Sequence, residues 1–258
     1  MATPAPACEV TGVTKAFGAV KAVEDVSLKI AAGSLTCLIG PNGAGKSTLL
    51  GCLSGFHPVD AGVVRVGGRD VTRWPPHRRA RHGLATVFQT TKPLEQLDVL
   101  DNAAVGAHVR SRAGFVESML RPPWQWREEG RIRSDAREAL DLVGLSDRAE
   151  SPAAALPLGQ LRLLALARAL AQQPSMLLLD EPAAGLRAAE KTRLIEALRA
   201  LHRQRLTQVL VEHDMHFVGA IAERVIVLDR GRVIADGSPA EVRTDKRVID
   251  AYLGSASL

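Results

Sequence analysis

The chain has 258 residues, of which 46% are hydrophobic, 24% charged and only 3% aromatic, with a formal charge of +5. Such a length suits one large α/β domain or two small ones and can bury a full core, and the composition argues against disorder and collagen-like repetition. No apolar run reaches the ~20 residues a membrane-spanning helix needs, and the opening MATPAPACEV lacks the charged and apolar regions of a secretory signal.

Cys8, Cys37 and Cys52 have no metal-binding spacing, so a reducing cytosol is the expected setting. In Val26-Ser-Leu28-Lys-Ile30 apolar and polar residues alternate, the pattern of a half-buried antiparallel strand. After the turn Ala31-Ala-Gly-Ser, the apolar run Leu35–Ile39 predicts a buried strand. A glycine-rich loop and a helix from about Lys46 to Leu53 follow, and then a strand at Gly62–Val66. The densest basic stretch, Arg73 to Arg81, is broken by two prolines and reads as a solvated surface or a protein contact. No basic stripe alternates with stacking aromatics, so no nucleic-acid partner is expected. Trp74 beside Pro75 and Pro76 reads as a packed turn.

From about residue 95 the character changes. A helical pattern covers Asp101–Arg112, a proline–tryptophan segment runs from Arg121 to Trp126, and a charged helix continues to Leu142. Trp124 and Trp126 suit either a docking contact or the anchoring of their own loop. The almost wholly apolar segment Leu161–Ala171 predicts a buried helix. Met176–Asp180 and Thr207–Val211 read as buried strands, with Leu194, Ile195, Leu198 and Leu201 marking one helix face between them. Arg224–Leu228 and Arg232–Ala235 form a predicted hairpin across Asp229-Arg-Gly231. Strands alternating with helices imply a mainly parallel sheet covered on both faces.

Two segments carry chemistry. Gly40-Pro41-Asn42-Gly43-Ala44-Gly45-Lys46-Ser47 fits G-x-x-x-x-G-K-[ST] and lies between a predicted strand and a helix. Glycines let backbone N–H groups curl around phosphate oxygens, and the helix N-terminus adds partial positive charge. Lys46 is expected to reach the β- and γ-phosphates, Ser47 to ligate Mg²⁺, and Thr48 to lie beside the α-phosphate. The second segment, Met176-Leu-Leu-Leu-Asp180-Glu181, ends a buried strand on acids. Asp180 there suits the metal that bridges the phosphates, and Glu181 suits the attacking water.

With these residues in place, the chain resembles the nucleotide-binding subunits of ATP-binding cassette (ABC) transporters. The resemblance rests on Gly40–Thr48, Val87-Phe88-Gln89, Leu156-Pro-Leu-Gly159-Gln160, Leu179-Asp180-Glu181-Pro182 and Val211-Glu-His213-Asp214. Asp180–Leu186, Glu212–Met215, the Arg-Pro-Pro insertion and Ala251-Tyr-Leu-Gly254 are similar to the larger ATP-binding subunit of branched-chain amino acid importers. The resemblance implies a P-loop α/β fold with an N-terminal antiparallel β portion and an inserted helical subdomain. The cassette would span residues 8–254, its core lobe 8–94 and 172–254 and its helical signature lobe 95–171. It further implies that Phe17 stacks on adenine, that Gln89 contacts Mg²⁺ and senses the membrane partner, and that His213 contacts the γ-phosphate. Gly159 and Gln160, in the signature segment, would complete the site of a second subunit.

Implied partners are membrane-spanning permease subunits, a second ATP-binding subunit and, indirectly, a solute-binding protein, at the cytoplasmic face of the inner membrane. Two departures mark this chain. Pro157 and Leu158 stand where the family signature has Ser and Gly, and proline offers a phosphate neither hydroxyl nor N–H. Arg187 stands where an acid is usual. The first favours a heterodimer, although a homodimer stays open. Alternatives are a cassette for lipid or lipopolysaccharide export and a non-hydrolysing regulatory subunit.

Overall fold

A computed structural model describes residues 6–89, 92–110 and 123–255. It contains a four-stranded antiparallel sheet ordered β2-β1-β4-β5 and a six-stranded sheet ordered β10-β9-β3-β8-β7-β6. The first is built from β1 (Cys8–Phe17), β2 (Val20–Ile30), β4 (Ala61–Val66) and β5 (Arg69–Asp70). The second uses β3 (Leu35–Ile39), β6 (Leu84–Val87), β7 (Met176–Asp180), β8 (Thr207–Val211), β9 (Arg224–Asp229) and β10 (Arg232–Gly237). Within it β9, β3, β8, β7 and β6 run parallel, and only β10 is antiparallel.

The unbroken apolar runs follow from coverage on both faces. Because strand side chains alternate, each central strand feeds two cores. Leu35, Cys37, Ile39, Leu177, Leu179, Leu210, Val225 and Val227 face the helices of one side. Leu38, Met176, Leu178, Val209, Val211, Ile226 and Leu228 face the other side, where they meet the antiparallel sheet and the helix α1 (Lys46–Ser54).

Within the basic stretch Arg73, Arg78 and Arg81 are exposed as expected, and helix α2 (Pro76–Arg81) corrects that reading at Arg79 alone. Arg79 is only 2% exposed. Its guanidinium donates to the Cys52 and Leu53 carbonyls, each at 2.7 Å, and to Trp74 and Thr72 carbonyls, each at 3.0 Å. It therefore satisfies carbonyls at the C-terminal end of α1 that the helix leaves unpaired. Trp74 is the packed turn expected, its ring edge-on to His82 and under the Arg78 guanidinium at 4.0 Å.

The next helices pack on one another: α3 (Val99–Ala107), α4 (Pro123–Leu142) and α5 (Leu158–Leu170). Each starts earlier than the sequence pattern suggests. Asp98 caps α3 by accepting the Asp101 N–H at 2.7 Å, and a short 3₁₀ turn, His108–Arg110, follows the helix. Ser111 and Arg112 lie outside the described residues, as do Arg121 and Pro122 and the side chains of Trp124 and Trp126. The proline–tryptophan segment from Pro123 is the first turn of α4, a place where proline costs no hydrogen bond. Pro157 sits at the N-cap of α5, and its carbonyl accepts the Leu161 N–H at 3.0 Å.

After β7 come α6 (Ala188–Arg203) and α7 (Met215–Ile221). The predicted hairpin is present as β9 and β10, but Asp229 pairs with Arg232, which leaves a two-residue turn. Arg230 and Gly231 both take positive φ, 45° and 78°, as such a turn demands. Helices α8 (Pro239–Thr244) and α9 (Lys246–Ser255) close the described chain. No described helix is long and apolar enough to cross a membrane.

Candidate functional site

Parallel pairing brings the C-terminal ends of β3, β6, β7 and β8 to one edge of the sheet, where α/β folds bind ligands. The loop leaving β3 turns sharply at Gly40 and Gly45, with φ of +148° and +98°. A Cβ would strike the Leu228 carbonyl at the first and the Ala22 carbonyl at the second, so only glycine fits. The loop is also stitched from behind. Ala44 O accepts the Gly231 N–H at 2.9 Å, and Gly231 O accepts the Glu24 N–H at 2.9 Å.

Lys46 opens α1 and is 6% exposed. Its Nζ donates to the Gly40 and Pro41 carbonyls, each at 2.8 Å, folded back into the loop. Burial holds its pKa below the ordinary lysine value, opposed by the Glu181 and Asp180 charges. A cavity of ≈ 400 Å³ lies over the loop, lined by Asn42 through Thr48 together with Ala22 and Glu181.

Asp180 ends β7, and its Oδ1 accepts the Ser47 hydroxyl at 3.1 Å. Burial raises the Asp180 pKa and the neighbouring Glu181 adds to this, while the Ser47 hydrogen bond and Lys46 oppose it. Glu181 has φ +48°, a left-handed conformation that costs a non-glycine residue about 1–3 kcal/mol and persists where the surroundings enforce it. Here the Glu181 N–H donates to Val211 O at 2.9 Å. Its Oε2 accepts from Gln89 Nε2 at 3.0 Å, and its Oε1 lies 3.7 Å from His213 Nδ1. Gln89 is itself held through its carbonyl, which accepts from the Arg162 guanidinium of α5.

His213 follows β8, and the turn after it is fixed by Asp214. That carboxylate accepts the His216 and Phe217 N–H groups at 3.0 and 3.1 Å and pairs with Lys191 Nζ at 2.6 Å. Lys191 above all holds the Asp214 pKa below the usual range. Glu212 was visible in sequence only as context for His213. It is 1% exposed and accepts from the backbone N–H groups of Ala183 and His213, at 2.9 and 3.3 Å. Burial drives its pKa up. A carboxylate directly after a fully buried five-residue strand was the signal available.

Lys46, Ser47, Gln89, Asp180, Glu181 and His213 are thus neighbours. Asn42–Gly45 and Thr48 line the cavity beside them, whereas Phe17, Gly159 and Gln160 stand apart from its lining. Phe17 ends β1, 49% exposed, its ring edge-on to His57 at 5.4 Å and near Lys15. Gly159 and Gln160 lie in the first turn of α5, where Gly159 is packed so tightly on the Glu190 carboxylate that a Cβ would collide with it. Arg187 N-caps α6, its N–H donating to the same Glu190 at 2.8 Å.

The model of the family "ABC transporter" matches residues 23–184, and that of "Branched-chain amino acid ATP-binding cassette transporter" matches residues 232–257. The chain is 37% identical over 254 residues to the high-affinity branched-chain amino acid transport ATP-binding protein BraF of Pseudomonas aeruginosa, covering 97% of this chain and 99% of that one. It is 34% identical over 252 residues to LivG of Escherichia coli, a protein of the same description, with coverage of 97% and 99%. Among solved structures, an ATP-binding cassette of an ABC transporter in its ADP conformation superposes with a TM-score of 0.84 at 30% identity, covering 96% of this chain and 99% of that one. A nucleotide-binding loop backed by two converging acids and matched over nearly the full chain is a family property: the chain belongs to the ATP-binding cassettes of ABC transporters, in the branched-chain amino acid group.

Proposed function

We propose that this chain is the ATP-hydrolysing subunit of an importer for branched-chain amino acids or related small polar solutes, seated on the cytoplasmic face of the membrane. The observation that carries the reading is the convergence of Lys46, Ser47, Asp180 and Glu181 at one sheet edge. The loop amides and Lys46 would cradle the phosphates and neutralise charge developing on the transferred group. Thr48 follows beside the α-phosphate, and Phe17 offers the adenine an exposed ring face.

Ser47 and Asp180 give an oxygen-only donor pair, the chemistry that suits Mg²⁺, with Gln89 able to add a carbonyl. When bound, Mg²⁺ held by Ser47 and Asp180 would offset the negative charge of the phosphates. Glu181 holds and deprotonates the attacking water, and His213 supports the γ-phosphate side. The segment 8–94 with 172–254 forms the nucleotide lobe and 95–171 the helical lobe of this reading.

A second subunit completes the site. Gly159 and Gln160 would face a partner's phosphates, but Pro157 brings no donor there, so two copies would share the same deficit. A different cassette with an intact signature supplies the missing contact, and we therefore favour a heterodimer coupled to permease subunits and served by a solute-binding protein. Reconstitution tests this. Hydrolysis should be weak for the chain alone and rise when the partner cassette, permease subunits and loaded binding protein are added. Equal hydrolysis by the isolated chain would overturn the heterodimer, and a complex lacking nucleotide-dependent uptake would overturn the importer.

A further inference from the structure

Two adjacent residues in the first turn of α6 make contacts in two directions. Glu190 turns toward α5. Its carboxylate fills the space in which a Cβ on Gly159 would stand, with Cδ and Oε1 each 2.0 Å from that position. Its Oε2 also accepts the Arg187 N–H at 2.8 Å, so one carboxylate meets the first turn of α5 and caps α6. A second contact runs beside it, where Leu158 Cδ2 lies 3.6 Å from the position of a Cβ on Gly185, in the loop leading into α6. Lys191 turns elsewhere, and its Nζ donates to Asp214 Oδ2 at 2.6 Å in a part-buried ion pair. The other oxygen of Asp214 accepts the His216 and Phe217 N–H groups and so fixes the turn after His213. Successive helix residues point about 100° apart, which lets neighbours in sequence reach two different segments.

We infer that Glu190 and Lys191 are positioning residues through which the first turn of α6 couples the His213 turn to the first turn of α5. This rests on reading His213 as a contact to the γ-phosphate and Gly159 as a residue presented to a second subunit's nucleotide. Under that reading, one helical turn braces both the segment that senses this chain's own nucleotide and the segment that serves its partner's. The physical basis is rigidity. Arg187 O accepts the N–H groups of Glu190 and Lys191, at 3.0 and 2.9 Å, so the two residues move as a unit. Gly159 has no side chain that could yield to the Glu190 carboxylate, so a displacement of Glu190 reaches the α5 backbone directly. Two sites biasing one such element is the physical form that coupling takes.

The Gly159 amide reports this coupling in the full-length chain. Three glycines follow a leucine, namely Gly51, Gly159 and Gly254. Carbonyl-¹³C leucine combined with ¹⁵N glycine therefore leaves only their amide signals in a carbonyl-filtered spectrum, and Leu158→Val identifies Gly159 by deleting its signal. Gly51 lies in α1, behind the phosphate loop, and marks occupancy by nucleotide. On saturation with MgATP both signals should move in the wild type, equally at high and at low protein concentration. In Glu190→Ala and in Lys191→Met the Gly51 signal should still move while the Gly159 displacement is lost; Glu190→Gln and Lys191→Arg should keep it. A Gly159 signal that stays fixed in the wild type while Gly51 moves overturns the inference, as does a displacement that survives in Glu190→Ala or Lys191→Met. A displacement seen only at high protein concentration also overturns it, because a second subunit then delivers it. Loss in the conservative variants as well reads as general packing and counts against it equally. If Gly51 itself ignores MgATP in the wild type, the nucleotide-loop reading fails and takes this inference with it.

Discussion

Glu212 Oε1 accepts the Ala183 backbone N–H at 2.9 Å, which ties the loop after β7 to the end of β8. Its other oxygen accepts the His213 N–H at 3.3 Å, so one buried carboxylate braces both the loop that carries Glu181 and the residue beside it.

Glu212→Gln offers one carbonyl where two acceptor oxygens stood, and its amide nitrogen cannot accept from a backbone N–H. Hydrolysis should fall about tenfold in kcat with less change in KM, consistent with the loss of a charge-assisted hydrogen bond in the catalytic loops. The variant should also alter the pH dependence of Tm. Burial raises the folded-state pKa above the unfolded value, so the folded chain holds this proton more tightly. That contribution is full below the ordinary glutamate range and is lost as pH rises through the raised value. The glutamine variant should flatten this fall, and calorimetry from mildly acidic to neutral pH checks it.

Lys46→Ala removes the main fixed cation of the loop. The expected result is loss of MgATP binding by on the order of a hundredfold, the scale of a lost electrostatic contact in a preorganised site. Titration of the purified chain measures it, and unchanged binding would remove Lys46 from the site.

Glu181→Gln keeps the shape and the contact with Gln89 but not the charge. Nucleotide binding should persist, while hydrolysis falls by about 10²–10⁴-fold, the range for removing a general base. If single-turnover hydrolysis proceeds at the wild-type rate, another group takes the proton. With its hydrolysis stalled, the variant should also favour a larger species in MgATP than in ADP on size measurement.

Arg79→Met removes four donated hydrogen bonds and leaves the Cys52, Leu53, Thr72 and Trp74 carbonyls without that partner. A cost of about 2–4 kcal/mol is expected, in the range of broken buried polar networks. Urea unfolding should show a lower midpoint with the same slope. An unchanged midpoint would mean that water replaces the guanidinium.

Much of this chain could be read without a structure, for a physical reason. Leu35–Ile39, Met176–Leu179 and Thr207–Val211 lack the polar alternation of a half-exposed strand, so both faces must be covered and helices must supply the cover. The glycine spacing from Gly40 to Gly45 is equally local, because turn, cradle and helix start are made by adjacent residues. Lys46, Ser47, Asp180 and Glu181 were legible for that reason, and their meeting followed once the strands were known to be parallel. What needed the tertiary structure are contacts between residues distant in the chain. Arg79 looks like its exposed neighbours until α2 turns it toward the carbonyls at the end of α1. Glu212 looks like a link between Val211 and His213 until the β7 loop presents the Ala183 amide. Local spacing encodes which backbone turns and which charges are available, whereas the direction of a buried polar side chain is set by whichever unpaired group the fold places within its reach.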